Sequence, residues 1–126
     1  MVTVKKGIVE RIVDCIREIG EDVYLPSYHE GDCVKRYVVV KYDGAVDLLN
    51  VSSTRPTYTI MLYVPKDQYT TLQSFSFKVK QALKKLYPLI EPTGVESGTF
   101  YDENVKGHMI SLEYLGIRKI KKMKGV

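Results

Sequence analysis

The stretch Thr57-Tyr-Thr-Ile-Met-Leu-Tyr-Val64, closed by Pro65 and followed by the periodic run Leu72–Leu86, decides the fold. Its first part alternates side chains and is rich in aromatic and β-branched residues, the composition of a strand. Tyr58, Ile60, Leu62 and Val64 then share one face, because successive strand residues point to opposite sides. In the second part Leu72, Phe75, Val79, Ala82, Leu83 and Leu86 fall within an arc of about 100° at the helical period. Lys78, Gln81, Lys84 and Lys85 cover the other side of that helix. Thr70-Thr71-Leu72-Gln73 matches a capping box, with Asp67 as a rival N-cap one turn earlier. Pro88 stops the helix, since its ring and missing N–H obstruct continuation.

Working outward, Val34–Tyr42 reads as the preceding strand, with Tyr37, Val38, Val39 and Val40 at its centre. The connection Asp43–Pro56 is long for a hairpin, where about two to five residues are usual. Leu48, Leu49 and Val51 within it are apolar, so either a short strand lies there or the loop packs as a lid, the reading preferred here. Further upstream, Val4–Ile19 places Ile8, Ile12, Cys15, Ile16 and Ile19 on one helical stripe, with Thr3 as N-cap and Gly20 as stop. Residues 21–33 are polar and turn-rich. Downstream, a loop with Pro92 and Gly94 leads to strands Val95–Tyr101 and His108–Ile117 around a turn at 102–107. The expected fold class is α+β in the order α-β-β-α-β-β: a mainly antiparallel four-stranded sheet with two helices packed on one face.

A chain of 126 residues with 44% hydrophobic and 27% charged residues fits one globular domain that builds its own core. The net charge of +4 is unevenly spread. Arg118, Lys119, Lys121, Lys122 and Lys124 supply five positive charges with no acid after Glu113, which leaves residues 1–117 at −1. The reading is therefore a single domain over 1–117 and a basic C-terminal tail over 118–126. A uniformly basic nucleic-acid-binding domain is disfavoured. No apolar run reaches the roughly 20 residues of a spanning helix, and the N-terminal residues lack the apolar core of a signal peptide. Two cysteines, Cys15 and Cys33, make no disulfide framework, so a reduced, intracellular setting is expected.

Catalytic signatures fail in turn. The chain has no GxxxxGK[ST], no GxGxxG after a strand, no GxSxG and no HExxH, and its only histidines are His29 and His108. His29-Glu30-Gly31-Asp32-Cys33 gathers ligand-type side chains, yet its spacing fits no standard zinc or calcium pattern and suits a turn before a strand. Cys15, on the helix stripe, reads as a small buried hydrophobe. The expectation is a protein that is not an enzyme and holds no cofactor or metal.

What the residues do show is apolar character on both sides of the strands. Met61 and Tyr63 point away from the helix-covered face, joined by Tyr37 and Val39 in the compatible register. Phe77 sits opposite the apolar stripe of its helix. Helices cover one face only, so these five residues are candidates for a subunit interface. Two other readings stay open: long loops can fold back over such a face, or the tyrosines can serve as base-stacking platforms. The RNP1-like pattern that would favour stacking is absent. The tail, with Ile117, Ile120 and Met123 between its basic residues, can lie along a neighbour, bind phosphate nonspecifically, or simply be a solvated terminus. Leu48, Leu49, Val51 and Arg118, Lys119, Lys121, Lys122 and Lys124 are the candidate partner-binding loop and tail.

The pattern as a whole resembles the tail terminator, or tail-completion, proteins of long-tailed bacteriophages and related tail-like particles. The stretches that carry it are the amphipathic helix Gly7–Ile19, the passage Tyr58-Thr-Ile-Met-Leu-Tyr-Val-Pro65 into Leu72–Leu86, and the closing Ser111-Leu-Glu-Tyr-Leu-Gly116. The resemblance covers nearly the full chain and rests on no residue-level signature. It implies a non-catalytic α+β protein that assembles with itself into a ring, typically a hexamer, capping the tail tube and joining it to the head connector. Its partners would be copies of itself, tube proteins and connector proteins, with no membrane and no sequence-specific nucleic acid. Assembly would take place in the bacterial host cytoplasm, and the ring would end at the head-proximal end of the tail. Another oligomeric head–tail connector or adaptor is the alternative, with a small nucleic-acid-binding module behind it.

Overall fold

The computed structural model describes residues 7–47, 53–117 and 119–120. Helix α1 (Ile8–Glu18) opens the fold, followed by β1 (Val23–Tyr24), β2 (Tyr37–Asp47) and β3 (Ser53–Pro65). Helix α2 (Leu72–Leu83) is flanked by 3-10 segments at Lys66–Thr71 and Lys84–Leu86. Four strands follow: β4 (Ile90–Glu96), β5 (Phe100–Asp102), β6 (Gly107–Gly116) and β7 (Lys119–Ile120). Among the described residues, no helix is long and apolar enough to cross a membrane.

The α+β class stands, while the expected four-stranded count and strand order need correction. The described strands form one mixed sheet in the order β1-β2-β3-β6-β4, with β5 also paired to β6 and β7 to β3. Its centre, β2-β3-β6-β4, is antiparallel, as the alternating segments imply. The additions are short. β1 is a two-residue parallel edge (Val23↔Val38, Tyr24↔Val39), and β5 and β7 have three and two residues. Pieces this brief carry no periodic signal of their own, so the sequence pattern passes over β1 and β7 and runs Phe100–Tyr101 of β5 together with the strand expected over Val95–Tyr101.

The core lies between the helices and one sheet face. Ile12, Cys15 and Ile16 from α1 meet Leu72, Phe75, Val79 and Leu83 from α2 over Val38, Val40, Ile60, Leu62, Val64 and Leu112. Tyr58, Ile60, Leu62 and Val64 are all buried there, on the face the alternation assigns them. Burial of each such side chain contributes about 1.5–3 kcal/mol, which anchors β3 and α2 on each other.

Three local expectations change. The connection over 43–56 is mostly strand: pairing runs on from Gly44↔Thr57 to Asp47↔Thr54, and β6 leaves β3 at Thr57↔Leu115. A bulge at Asp43, between Tyr42 and Gly44, is what makes this possible, with Gly44 at φ +97°. The extra residue bends and twists the ribbon, and glycine accepts that backbone without a Cβ penalty. The strand expected over Val95–Tyr101 instead begins at Ile90 and includes Pro92 and Gly94. Its register slips between Pro92↔Tyr114 and Glu96↔Leu112, so the proline and glycine interrupt the pairing in a bulged edge strand, the position where such residues are tolerated. Finally, the capping box over Thr70–Gln73 does not form. Residues 66–71 already turn as a 3-10 helix, Thr71 Oγ1 donates to the Gln68 carbonyl at 2.7 Å, and no side chain caps α2. Likewise α1 starts at Ile8 with Gly7 as N-cap; Thr3 lies outside the described residues. Gly20 does end α1, at φ +87°, donating to the Arg17 carbonyl.

Candidate functional site

The outer sheet face holds a compact aromatic cluster. Tyr37 (β2) and Tyr63 (β3) are direct cross-strand partners, and their rings stack at 4.8 Å. His29 stacks on the other side of Tyr37 at 3.9 Å, and Tyr24 meets Tyr37 edge-on at 5.6 Å. The segment after β1 therefore folds across the face. It is pinned at its far end by the Cys33 amide, which donates to the Val105 carbonyl in the turn before β6. Gly107 permits this approach, because a Cβ there would lie 2.8 Å from the Val64 carbonyl oxygen and 2.9 Å from Cys33 Cβ.

This arrangement corrects the open apolar face inferred from the strands. Tyr37 is 3% exposed and Val39 9%, and Met61 and Tyr63 are half-buried beside them. The chain's own loop covers these four, one of the readings left open by the sequence. Phe77, by contrast, is 63% exposed on α2, as its position opposite the stripe requires. A pocket of about 210 Å³ remains between the loop and the sheet, reached by Leu25, His29, Met61 and Tyr63. His29 Nδ1 is enclosed and makes no hydrogen bond. Burial pushes the Cys33 thiol up to about 11 and raises Tyr37 and Tyr63 as well, so these groups stay neutral at physiological pH. A protonated thiol is a poor nucleophile.

The ligand-type residues at 29–33 do not converge. His29 is stacked on Tyr37, Asp32 faces Lys106 at 3.7 Å, and Cys33 Sγ donates to the Lys35 carbonyl. Among the described residues no group of three or more His, Cys, Asp or Glu could hold a metal ion. Cys15 Sγ donates to the Ala82 carbonyl at 3.1 Å and so joins α1 to α2, with burial raising its pKa.

A second, larger concavity lies on the helix side of the sheet. Helix α2 covers β3 and β6 but leaves the β4 edge bare, opening a groove of about 570 Å³. Leu83, Tyr87, Ile90, Val95, Leu112 and Tyr114 line it, while Lys80, Lys84 and Glu96 stand at its rim. Lys80 and Glu96 pair with each other across it. Tyr87 and Val95 are 67% and 57% exposed, so the apolar lining reaches the surface. Burial pushes the Tyr114 phenol at its floor up to about 12. None of the sequence-derived candidates maps to this groove. The signal for it was present in Ile90–Glu96, whose apolar residues beside Pro92 and Gly94 mark an interrupted edge strand rather than a loop.

Of the remaining candidates only Lys119 is among the described residues, beside the β2–β3 ribbon. Past Thr57 this ribbon leaves β6 and, among the described residues, is joined by β7 alone, through Ser53↔Ile120 and Thr54↔Lys119. Arg55 ties its base to the body, donating to the Gly116 carbonyl and pairing with Glu91 at 2.7 Å. Lys119 thus falls on a strand beside the ribbon. Leu48, Leu49, Val51, Arg118, Lys121, Lys122 and Lys124 lie outside the described residues.

Known proteins offer no shortcut: no protein-family model matches the chain, and no characterised protein has a significant sequence match to it.

Proposed function

We propose that this chain is a structural, non-catalytic assembly protein that joins head-to-tail with copies of itself into a ring, as a tail terminator of a long-tailed phage or tail-like particle would. The observation that carries this reading is the β2–β3 ribbon, which runs on past the body of the sheet with β7, among the described residues, the one strand beside it. A two-stranded ribbon is marginal in water by itself and gains stability from a surface to lie on. The bare apolar groove at β4 supports the same reading from the opposite edge of the sheet. Two unlike surfaces favour a heterologous contact over a self-complementary dimer, and such contacts form a ring where the rotation between copies closes. In such a ring the ribbon and the basic terminus would meet the tail tube or the head connector, and the particle would assemble in the bacterial cytoplasm.

Light scattering and sedimentation over a range of concentrations test the proposal. A discrete oligomer that electron micrographs resolve as a ring, and that binds the end of a tail tube, is the expected result. A monodisperse monomer at high concentration that stays free of added tubes overturns it.

A further inference from the structure

The sheet ends in two unlike edges. At the β4 edge is the groove, and strand addition cannot easily fill it, because Pro92 lacks an N–H and the bulge around Gly94 breaks the ladder. A partner must instead insert a side chain. At the other edge, β1 runs into the turn Leu25-Pro26-Ser27-Tyr28, closed by the Tyr28 amide donating to the Leu25 carbonyl at 3.1 Å. Ser27 holds φ +70° in this turn, a left-handed backbone that glycine would adopt more readily. Such strain persists where the surrounding structure imposes it, and it gathers at functional positions. Its result here is to hold Tyr28 outward, 71% exposed, while the neighbouring His29 turns in against Tyr37.

Size and charge match these two features to each other. A tyrosine is a large, rigid apolar body with one polar tip, the commonest kind of anchor at protein interfaces. The groove is apolar along its walls and large enough for such a ring. Its rim carries Lys84, and Lys85 lies next along the chain; neither makes an ion pair among the described residues. Two residues beyond Tyr28 stands Glu30, equally without an ion-pair partner among the described residues. We infer that Tyr28 of one copy seats in the α2–β4 groove of the next, with its Glu30 facing Lys84 across the joint. The occupant is a second copy of this chain, and the contact is heterologous, so each copy gives one knob and receives another. This inference rests on the ring reading above and names the surfaces through which the ring would close.

Paired cysteines test it on the whole chain. Tyr28→Cys and Val95→Cys together in one chain should give, under mild oxidation, a ladder of covalent oligomers on a non-reducing gel. Each single variant alone should give none, and a mixture of the two should stop at dimers. In sedimentation, Tyr28→Ser should weaken association at least tenfold, as should Glu30→Lys and Lys84→Glu separately. The double charge reversal should restore it, and circular dichroism should stay unchanged, since all these side chains are at the surface. An oligomeric wild type that gives no ladder and tolerates Tyr28→Ser overturns the knob-and-groove contact while leaving the ring reading in place. Dimers alone from the doubly substituted chain overturn the head-to-tail arrangement. A monomeric wild type overturns both.

Discussion

Glu21 shows how one buried charge is made tolerable. It follows Gly20 at the end of α1, its side chain nearly inaccessible, and its carboxylate accepts from Arg36 at 2.7 and 3.0 Å and from Lys78 at 2.7 Å. The Arg36 guanidinium lies over the Phe75 ring at 4.6 Å, so the same group serves the ion pair and the core. Burial alone would raise the carboxyl, but the hydrogen bonds and charges of Arg36 and Lys78 outweigh it and hold it below the usual range. A lowered folded-state pKa gives stability that is complete above the unfolded value of 4.5 and is lost as pH falls through the folded one. Glu21→Gln should therefore cost about 1–2 kcal/mol at neutral pH, since charge-assisted hydrogen bonds are lost while the part-exposed Arg36 and Lys78 stay hydrated. Urea denaturation as a function of pH checks this: the gap between wild type and variant should shrink below pH 4.5. At Tyr63 the outcome follows from the stacked cluster. Tyr63→Asp would put a carboxylate against Tyr37 in a half-buried site and should lower the unfolding free energy by about 2 kcal/mol, and the denaturation midpoint with it. An unchanged midpoint would mean that the cluster contributes little to the fold.

Among the elements, the ribbon separates folding from assembly. Thr57 Oγ1 donates to the Gly44 carbonyl at 3.0 Å and Thr59 to Asp43, contacts that secure its base, yet the main core lies wholly below it. Replacing residues 43–57 by Asn-Gly would close the hairpin on the Tyr42↔Tyr58 pair. Loss of the Arg55 contacts should cost about 1–3 kcal/mol, and the shortened protein should still melt cooperatively. It should also fail to bind the end of a tail tube, which electron micrographs read directly. These elements were unequally legible in the sequence. Helix α2 and strand β3 declare themselves because each buries a full stripe at its own period. The bulged strands do not, because an inserted residue at Asp43, or Pro92 and Gly94 in β4, breaks the alternation on which recognition depends. The covered outer face was likewise hidden. Whether a polar segment such as 25–36 lies back on the sheet depends on long-range contacts such as Cys33 to Val105, and a single residue pattern does not encode them.

At the scale of the whole molecule, the two sheet faces are finished differently. The inner one is sealed by two helices over a large core, and the outer one by a loop over a small cluster. What stays unsatisfied is moved to the periphery: the ribbon at one end and the groove at one edge. Strand β3 passes through both regimes. From Thr57 to Tyr63 it has a strand on each side, β2 and β6, whereas from Thr54 to Pro56 it has β2 and, among the described residues, a single pairing with β7. Deuterium labelling should divide this one strand in two. Amides of Tyr58–Val64 should exchange only through global opening and report the full unfolding free energy. Those of the ribbon should exchange orders of magnitude faster in the isolated protein and slow sharply once a neighbour lies against them. A single continuous strand would then act as an internal clock for assembly, one half keeping the time of the fold and the other that of the particle.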